Sequence, residues 1–443
     1  MGYTLSQHFR KRDLILYTLP TILMMIFTSI YGVVDGFFVS NFIGEEAFTA
    51  VNFIFPYLMI LGAIGFMFGT GGSALVTKYM GEEKNKLAKE TFTMIVSISF
   101  IIGIIILIVG LISIRQIASL LGADGILLEN CVTYGSIIIF AIPFFILQME
   151  FQSFFVSANK PKLGLFVTLA SGITNMILDY LLIAVFKLGI IGAALATALS
   201  QCVGGIIPLF YFFINKTSNL QFVKFKIIFK DLIKTCVNGS SELMSQISMS
   251  LVGMLYNYQL LKYAGEYGVS SYGVLMYVGF IFFAIFIGYG IGSAPLISYQ
   301  YGAKNNIELK SLLKKGLLII SICSISMFIL AESLAYPLSY LFVGYNKELL
   351  DITTNAFIYY SFSFIFAGLA IFLSNFFTAL NDGVTSALIS FLRTLVFQVS
   401  TVMLLPLIMG INGIWISIVI AEFLAIIVSI ICLIIKNKKY KYY

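Results

Sequence analysis

GTGGSALVTKYMGEEKN, residues 69–85, returns 221 positions later as GIGSAPLISYQYGAKNN, residues 290–306. The two align without a gap, with Gly69, Gly71, Leu75, Gly81 and Asn85 falling on Gly290, Gly292, Leu296, Gly302 and Asn306. A second segment keeps the same offset. LGIIGAALATALSQ, from Leu188, falls on MGINGIWISIVIAE, from Met409, and matches Gly189 to Gly410 and Gly192 to Gly413. Two distant segments sharing an offset of half the chain length mark an internal duplication, so the architecture is expected twice over.

What is duplicated follows from composition. The chain has 443 residues, 60% hydrophobic and 11% charged, with a mean hydropathy of +1.00. Soluble proteins carry about 25% charged residues, so this is a polytopic membrane protein. Splitting it at charged and Gly/Pro/Asn-containing breaks gives twelve apolar segments: 14–42, 47–77, 91–113, 131–158, 162–184, 190–214, 231–261, 269–300, 312–335, 351–379, 384–408 and 411–435. Each can cross a hydrocarbon layer of roughly 30 Å.

The basic residues test that count. Alternate loops place 22 of the 27 Lys and Arg on one side, at 10–12, 78–89, 160–162, 216–234, 304–315 and 436–441. Four fall on the other side, Arg115, Lys187, Lys262 and Lys347, and Arg393 alone lies within a span. A miscounted helix would scramble this alternation, so the split supports twelve spans in the plasma membrane with both termini cytoplasmic. The net charge of +7 then reports orientation against anionic membrane lipids and requires no nucleic-acid partner. Six spans per half insert both halves the same way up. The expected fold is an all-α integral membrane protein of twelve transmembrane helices in two six-helix lobes, residues 1–221 and 222–443, related by a parallel pseudo-two-fold repeat. Several secondary transporters share that plan.

Several chemistries are excluded. The five cysteines, Cys131, Cys202, Cys236, Cys323 and Cys432, are far apart and form no CxxC pair, so they read as small apolar fillers. His8 is the only histidine, which removes histidine-based zinc sites and Ser/His or Cys/His catalysis from the membrane. The apolar run after HFRKR is about twice the length of a signal-peptide core and reads as a retained first span. GTGGS lacks the Lys-Ser/Thr of a phosphate loop and reads as close helix packing, and no Walker motif occurs. An enzyme and an ATP-driven pump are both disfavoured, and no cofactor is expected.

The joint order of several segments resembles the multidrug and toxic compound extrusion (MATE) family, in its bacterial multidrug-efflux branch. They are LPTILMMIFTSIYGVVDGFFVSNFIG, GTGGSALVTKYMGEEKN, SLLGADGILLENCVTYGSI, ITNMILDYLLI with LGIIGAALATALSQ, FFTALNDG, and LPLIMGINGIWISIVIAE. The likeness covers nearly all of residues 8–435. It implies a V-shaped twelve-helix antiporter, expected as a monomer, that exports small organic cations by alternating access in exchange for H+ or Na+. The alternative is a lipid-linked oligosaccharide flippase of the same superfamily, whose anionic cargo would favour basic cavity residues.

Six acids lie in the interior of spans, away from their first turn, Asp35, Glu150, Asp179, Glu242, Glu332 and Glu422, against the single interior base Arg393. A carboxylate at mid-membrane costs roughly 2.5–3.5 kcal/mol on insertion scales, so each needs a partner or a task. Glu150 and Glu332 lie toward span ends, where local pairing or snorkelling accounts for them. Asp179 follows Asn175 and Ser171 at helical spacing, a polar stripe in apolar sequence, and Thr197 of the next span offers another oxygen. The resemblance implies that Asp35, Asn175, Asp179 and Thr197 form an ion-coupling site. Two close carboxylates in low dielectric cannot both ionise freely, and either a proton or Na+ relieves the repulsion. In the second half Glu242, Gln246 and Glu422 are candidates for drawing in a cation, with Met244, Met249, Tyr256, Met276 and Tyr277 as adaptable walls. Arg393 either pairs with Glu422 or serves function directly. Pro20, inside the first span, is the expected hinge.

Overall fold

The computed structural model describes residues 4–216 and 218–442. The first six spans are α1 (Lys11–Phe38), α2 (Glu45–Gly81), α3 (Asn85–Leu120), α4 (Gly125–Ser157), α5 (Pro161–Asp179) and α6 (Gly189–Ile214). Two of them run on into π-helical turns, α1 into Val39–Ile43 and α5 into Tyr180–Val185. Phe229–Gly302 forms 74 continuous residues, broken only at Gly265 (φ 60, ψ −153). We therefore treat it as two spans, α7 (229–264) and α8 (266–302). The series closes with α9 (Asn306–Val343), α10 (Lys347–Ser361 and Ser363–Ala379, bent by 44° between them), α11 (Gly383–Met409) and α12 (Ile411–Tyr440). With Gly265 as a turn and the bent pair as one crossing, the expected twelve spans are present.

The duplication is written in the backbone as well as the side chains. Left-handed residues recur at the 221-residue offset: Gly44 and Gly265, Glu83 and Lys304 (φ 61 and 57), and Gly189 and Gly410 (φ 60 and 59). Each pair stands where one span hands over to the next, and the glycines take a φ that a Cβ would oppose. Side chains cap several starts. Asn305 Oδ1 accepts from Glu308 N at 3.1 Å, and Asn346 Oδ1 accepts from Leu349 N at 3.1 Å.

Contacts divide the chain into two compact units, Phe27–Gly239 and Met1–Ile26 with Ser240–Tyr443. The first turns of α7 thus pack in one unit with α2, and the first half of α1 packs in the other with α8. The matched glycines of the duplicated stretch explain both arrangements. A Cβ on Gly71 of α2 would stand 2.1 Å from the Thr235 carbonyl oxygen and 2.6 Å from Gly239 N. One on Gly292 of α8 would meet Thr18 Cβ at 3.1 Å. Gly71 and Gly292 are 221 residues apart, as are Thr18 and Gly239, so one helix-to-helix approach is built twice. Membrane helices gain no hydrophobic drive from one another, and such backbone proximity is what holds them.

Each unit adds its own packing. Around Phe92 of α3 lie Phe154 and Phe212, with ring centroids 4.9 and 5.1 Å away. In the other unit Phe282 stacks on Phe364 at 4.9 Å. The N-terminal segment there is anchored to the start of α9, where Phe9 N donates to Glu308 Oε1 at 3.2 Å and His8 Nδ1 lies 2.5 Å from Glu308 Oε2.

Candidate functional site

The stripe read on α5 is buried inside the Phe27–Gly239 unit. Ser171, Asn175 and Asp179 are 2%, 1% and 0% exposed. Helical spacing stacks them on one face, and Gly172 lets α1 come close enough to meet that face. A Cβ on Gly172 would lie 2.5 Å from Phe27 Cε1 and 3.1 Å from Tyr31 Cδ1. One turn beyond Tyr31, the partly exposed Asp35 lies beside Asn175 and Asp179. Thr197 Oγ1 of α6 donates to Asp35 Oδ1 at 3.3 Å. All four expected residues therefore come together.

The supporting shell is polar too. Gln148 Nε2 of α4 donates to Ser171 Oγ at 3.2 Å, Ser171 Oγ donates to the Ser200 carbonyl at 2.7 Å, and Ser200 Oγ donates to the Thr197 carbonyl at 2.8 Å. The last donor in that chain fixes the backbone that carries Thr197. Three oxygens in the centre are left over. Asp179 Oδ1 and Oδ2 and Asn175 Oδ1 are buried with no hydrogen-bond partner among the described residues. Buried polar atoms in native proteins are normally satisfied, so three orphan acceptors beside a second carboxylate suit a proton or a small hard cation. The π-helical turn begins directly after Asp179, and such turns often accompany functional positions.

One member escaped the sequence. Tyr134 of α4 is 3% exposed, and it stands beside Thr197 and near both carboxylates. It lies within SLLGADGILLENCVTYGSI, but in a chain with 25 Tyr nothing marks this one.

In the other unit, Glu242 and Gln246 lie a turn apart on α7 and both are partly exposed. Glu422 of α12 is fully buried, and Arg393 of α11 binds it, Nε donating to Oε1 at 3.0 Å and Oε2 at 2.8 Å. Tyr256 is 3% exposed, shares a hydrogen bond of 2.7 Å with Ser417 Oγ, and stacks on Tyr272 with ring planes 1° apart at 5.0 Å. Met276 of α8 is partly exposed. The two remaining acids are met by hydroxyls. Ser99 donates to Glu150, which is fully buried, and Ser361 donates to Glu332. Glu150 does not snorkel, because Gly69 holds α2 against its backbone, a Cβ there lying 3.0 Å from Glu150 Cα.

Comparison with known proteins agrees with this architecture. The multidrug export protein MepA of Staphylococcus saprophyticus is 26% identical over 364 residues, 80% of this chain and 79% of its own. MepA of Staphylococcus aureus strain MRSA252 is 24% identical over 425 residues, 94% of this chain and 91% of its own. Among solved structures, the outward-facing conformation of a multidrug resistance MATE family transporter superposes with a TM-score of 0.93 at 21% identity, covering 99% of this chain and 98% of that one. The sequence pattern described as MatE fits residues 20–181 and then fits again over residues 243–404. With both halves of the duplication matched in this way, the chain belongs to the MatE family.

Proposed function

We propose that the protein is a secondary active multidrug efflux antiporter that exports small organic cations in exchange for H+ or Na+ by alternating access. The observation that carries the reading is the pair Asp35 and Asp179 with its unsatisfied buried oxygens. The relatives named multidrug export proteins support drug export, and the excess of intramembrane acids over the single base Arg393 supports a cationic cargo. Asp35, Asn175, Asp179 and Thr197 would hold the coupling ion. Two carboxylates, an amide carbonyl and a hydroxyl are hard oxygen donors suited to Na+, and the close acids can equally share a proton. Export follows if ion and drug favour opposite conformations, because a ligand indifferent to the two states shifts nothing. Drug susceptibility of a pump-deficient host tests the cargo. Resistance to cationic compounds is the expected gain, and resistance confined to anionic ones would overturn it.

Orientation has its own test. Both termini are expected in the cytoplasm. In a variant whose native cysteines have been replaced, a cysteine at Lys262 should react with an impermeant maleimide in intact cells, and one at Lys439 should not. Both positions are exposed to reagent. Labelling of Lys439→Cys from outside would reverse the topology.

Pro20 is buried within α1, six residues before the point where that helix passes from one packing unit to the other. Its ring removes a backbone N–H and leaves the carbonyl one turn earlier without its helical partner, a weak point at which α1 can bend. Pro20→Ala restores the bond. Turnover is expected to slow several-fold while drug affinity changes little, measured by transport and by equilibrium binding on the same preparation. Equal turnover in both proteins would make the proline purely architectural.

A further inference from the structure

Residues 221–228, between the two repeats, have no regular secondary structure and lead into α7. They lie outside both stretches that fit the MatE pattern, 20–181 and 243–404. Two backbone groups pin the segment to α3, Val223 N donating to Thr93 Oγ1 at 3.1 Å and Ile228 N to Met94 Sδ at 3.2 Å. The helix that follows starts with its polarity reversed. Asp231, Thr235 and Asn238 are buried, and the Tyr79 hydroxyl donates to Asp231 Oδ1 at 2.8 Å. Ile227, Phe229 and Ile233 are instead 57%, 70% and 61% exposed. Water selects the opposite arrangement, so the medium against this outer face is apolar. Lysines stand among these apolar side chains. Lys224, Lys226 and Lys230 are exposed and form no ion pair among the described residues, and Lys234 comes no nearer than 3.9 Å to Asp231 Oδ1. The other repeat treats the matching positions differently. Lys226 and Lys230 fall 221 residues after Leu5 and Phe9, which are buried in their own unit. One segment before a span is thus packed on protein, and the other turns lysines and bare hydrocarbon outward.

We propose that residues 224–234 form a docking site for anionic phospholipid, with Ile227, Phe229 and Ile233 among the acyl chains and Lys224, Lys226 and Lys230 on the headgroup phosphates. Continuity sets the depth. Phe229 opens a span on the side that holds 22 of the 27 basic residues, so the segment before it stands at headgroup level. Lysine stems lie in the apolar layer while their ammonium groups reach the phosphates. Charge complementarity selects the headgroup. Each lysine near an anionic surface contributes about fivefold to partition, and three without acidic partners favour an anionic lipid over a zwitterionic one. The general excess of cytoplasmic lysine only orients the chain, whereas this site holds a particular class of lipid at one segment.

The test places a tryptophan at the site and reads its quenching by lipids brominated on the acyl chains. Trp415 is the only native tryptophan, so Phe229→Trp is made in a Trp415→Phe background and the full chain is reconstituted in mixed phosphatidylglycerol and phosphatidylcholine nanodiscs. At equal mole fractions, brominated phosphatidylglycerol is expected to act at an apparent concentration about fivefold or more above that of brominated phosphatidylcholine. The preference should fade at about 1 M salt, where the screening length falls to about 3 Å. Ile105→Trp in the same background, at a lipid-exposed position of α3, should not distinguish the two lipids. Adding Lys224→Gln/Lys226→Gln/Lys230→Gln to Phe229→Trp should leave quenching in place and remove the preference. Equal quenching by both lipids at Phe229→Trp, or a preference that survives loss of the three lysines, would overturn the proposal. Absence of quenching by either lipid would do so as well and would turn this face toward water or a protein. Trp415 is buried and its replacement can unfold the chain, so a second measurement keeps it. Native mass spectrometry after equilibration in an equal mixture of the two lipids should find more phosphatidylglycerol than phosphatidylcholine on wild type and no such excess on the triple lysine variant. The same lipid ratio on both proteins would overturn the site. None of these readouts requires transport, so they stand or fall apart from the export reading.

Discussion

Asp35→Asn is expected to stop gradient-driven drug transport and to leave a folded protein. The amide keeps the size of the carboxylate and can still accept from Thr197 Oγ1, which lies 3.3 Å from Asp35 Oδ1. What it removes is one of the two carboxylates proposed to bind the coupling ion. With a single acid left, no repulsion would remain to draw a proton or Na+ onto Asp179, and on the proposed mechanism the ion would no longer distinguish the two conformations. Asp179→Asn has the same effect from the other side. Linkage sharpens the expectation. If wild type exchanges ion for drug as proposed, loading the ion would weaken drug binding and drug would weaken ion binding by the same factor, so in both variants drug affinity should become independent of pH and of Na+. The measurement is uptake of a fluorescent cation by proteoliposomes, first under a pH gradient alone and then under a Na+ gradient alone. Both variants are expected at the level of protein-free liposomes, while wild type responds to one gradient. Transport surviving in both would sink the assignment of these acids to coupling. Tyr134→Phe removes only a hydroxyl near Thr197 and the two carboxylates, so it should lower the rate without abolishing it.

The contrast between Asp179 and Tyr134 shows what a sequence can carry about such a site. Asp179 was legible because carboxylates are rare in spans and because Asn175 and Ser171 precede it at intervals of four, a spacing that only a helix face explains. Asp35 was legible for its isolation in an apolar run. Tyr134 is nearly as buried as Asp179 and more buried than Asp35, yet a tyrosine in a membrane chain has many ordinary uses. Its role exists only through the distance to Thr197, which is set by the packing of α4 on α6. The pairing of Arg393 with Glu422 was one of two open readings, and burial decides it, because a fully enclosed carboxylate needs its counter-charge close by. The π-helical turns after Asp35 and Asp179 left no trace in hydropathy, since one extra residue per turn alters no composition. The bend at Phe362 within α10 was equally silent, since Ser361 and Ser363 on either side of it are neither Gly nor Pro and lie in a run that is otherwise largely apolar.

At glycines 71 and 239 the motif was legible and its partner was not, and replacing them should damage the fold more than any change at the polar residues. The duplicated GTGGS and GIGSA stretches read as close packing, but what packs there is the start of a helix more than 160 residues away in one case and 270 in the other. The two copies are not equally tight. At Gly239 a Cβ would lie 1.9 Å from the Met67 carbonyl oxygen, and at Gly71 it would lie 2.1 Å from that of Thr235. Both obstacles are backbone, which cannot rotate away as a side chain can. At Gly292 the obstacle is the Thr18 side chain at 3.1 Å, with its Cα at 3.2 Å. A few tenths of an ångström of movement relieve that contact, whereas α2 and α7 would have to separate along their length. Overpacking a close contact typically costs about 1–3 kcal/mol, and rigid backbone on both sides puts Gly71→Ala and Gly239→Ala at or beyond the upper end. Gly292→Ala belongs at or below the lower end. Thermal unfolding of the purified proteins in detergent, followed by size-exclusion chromatography, should therefore rank Gly239→Ala and Gly71→Ala as least stable, with Gly292→Ala near wild type. Equal losses at Gly71 and Gly292 would mean that the matched glycines serve one symmetric purpose and that the closer backbone approach at α2 carries no additional stability.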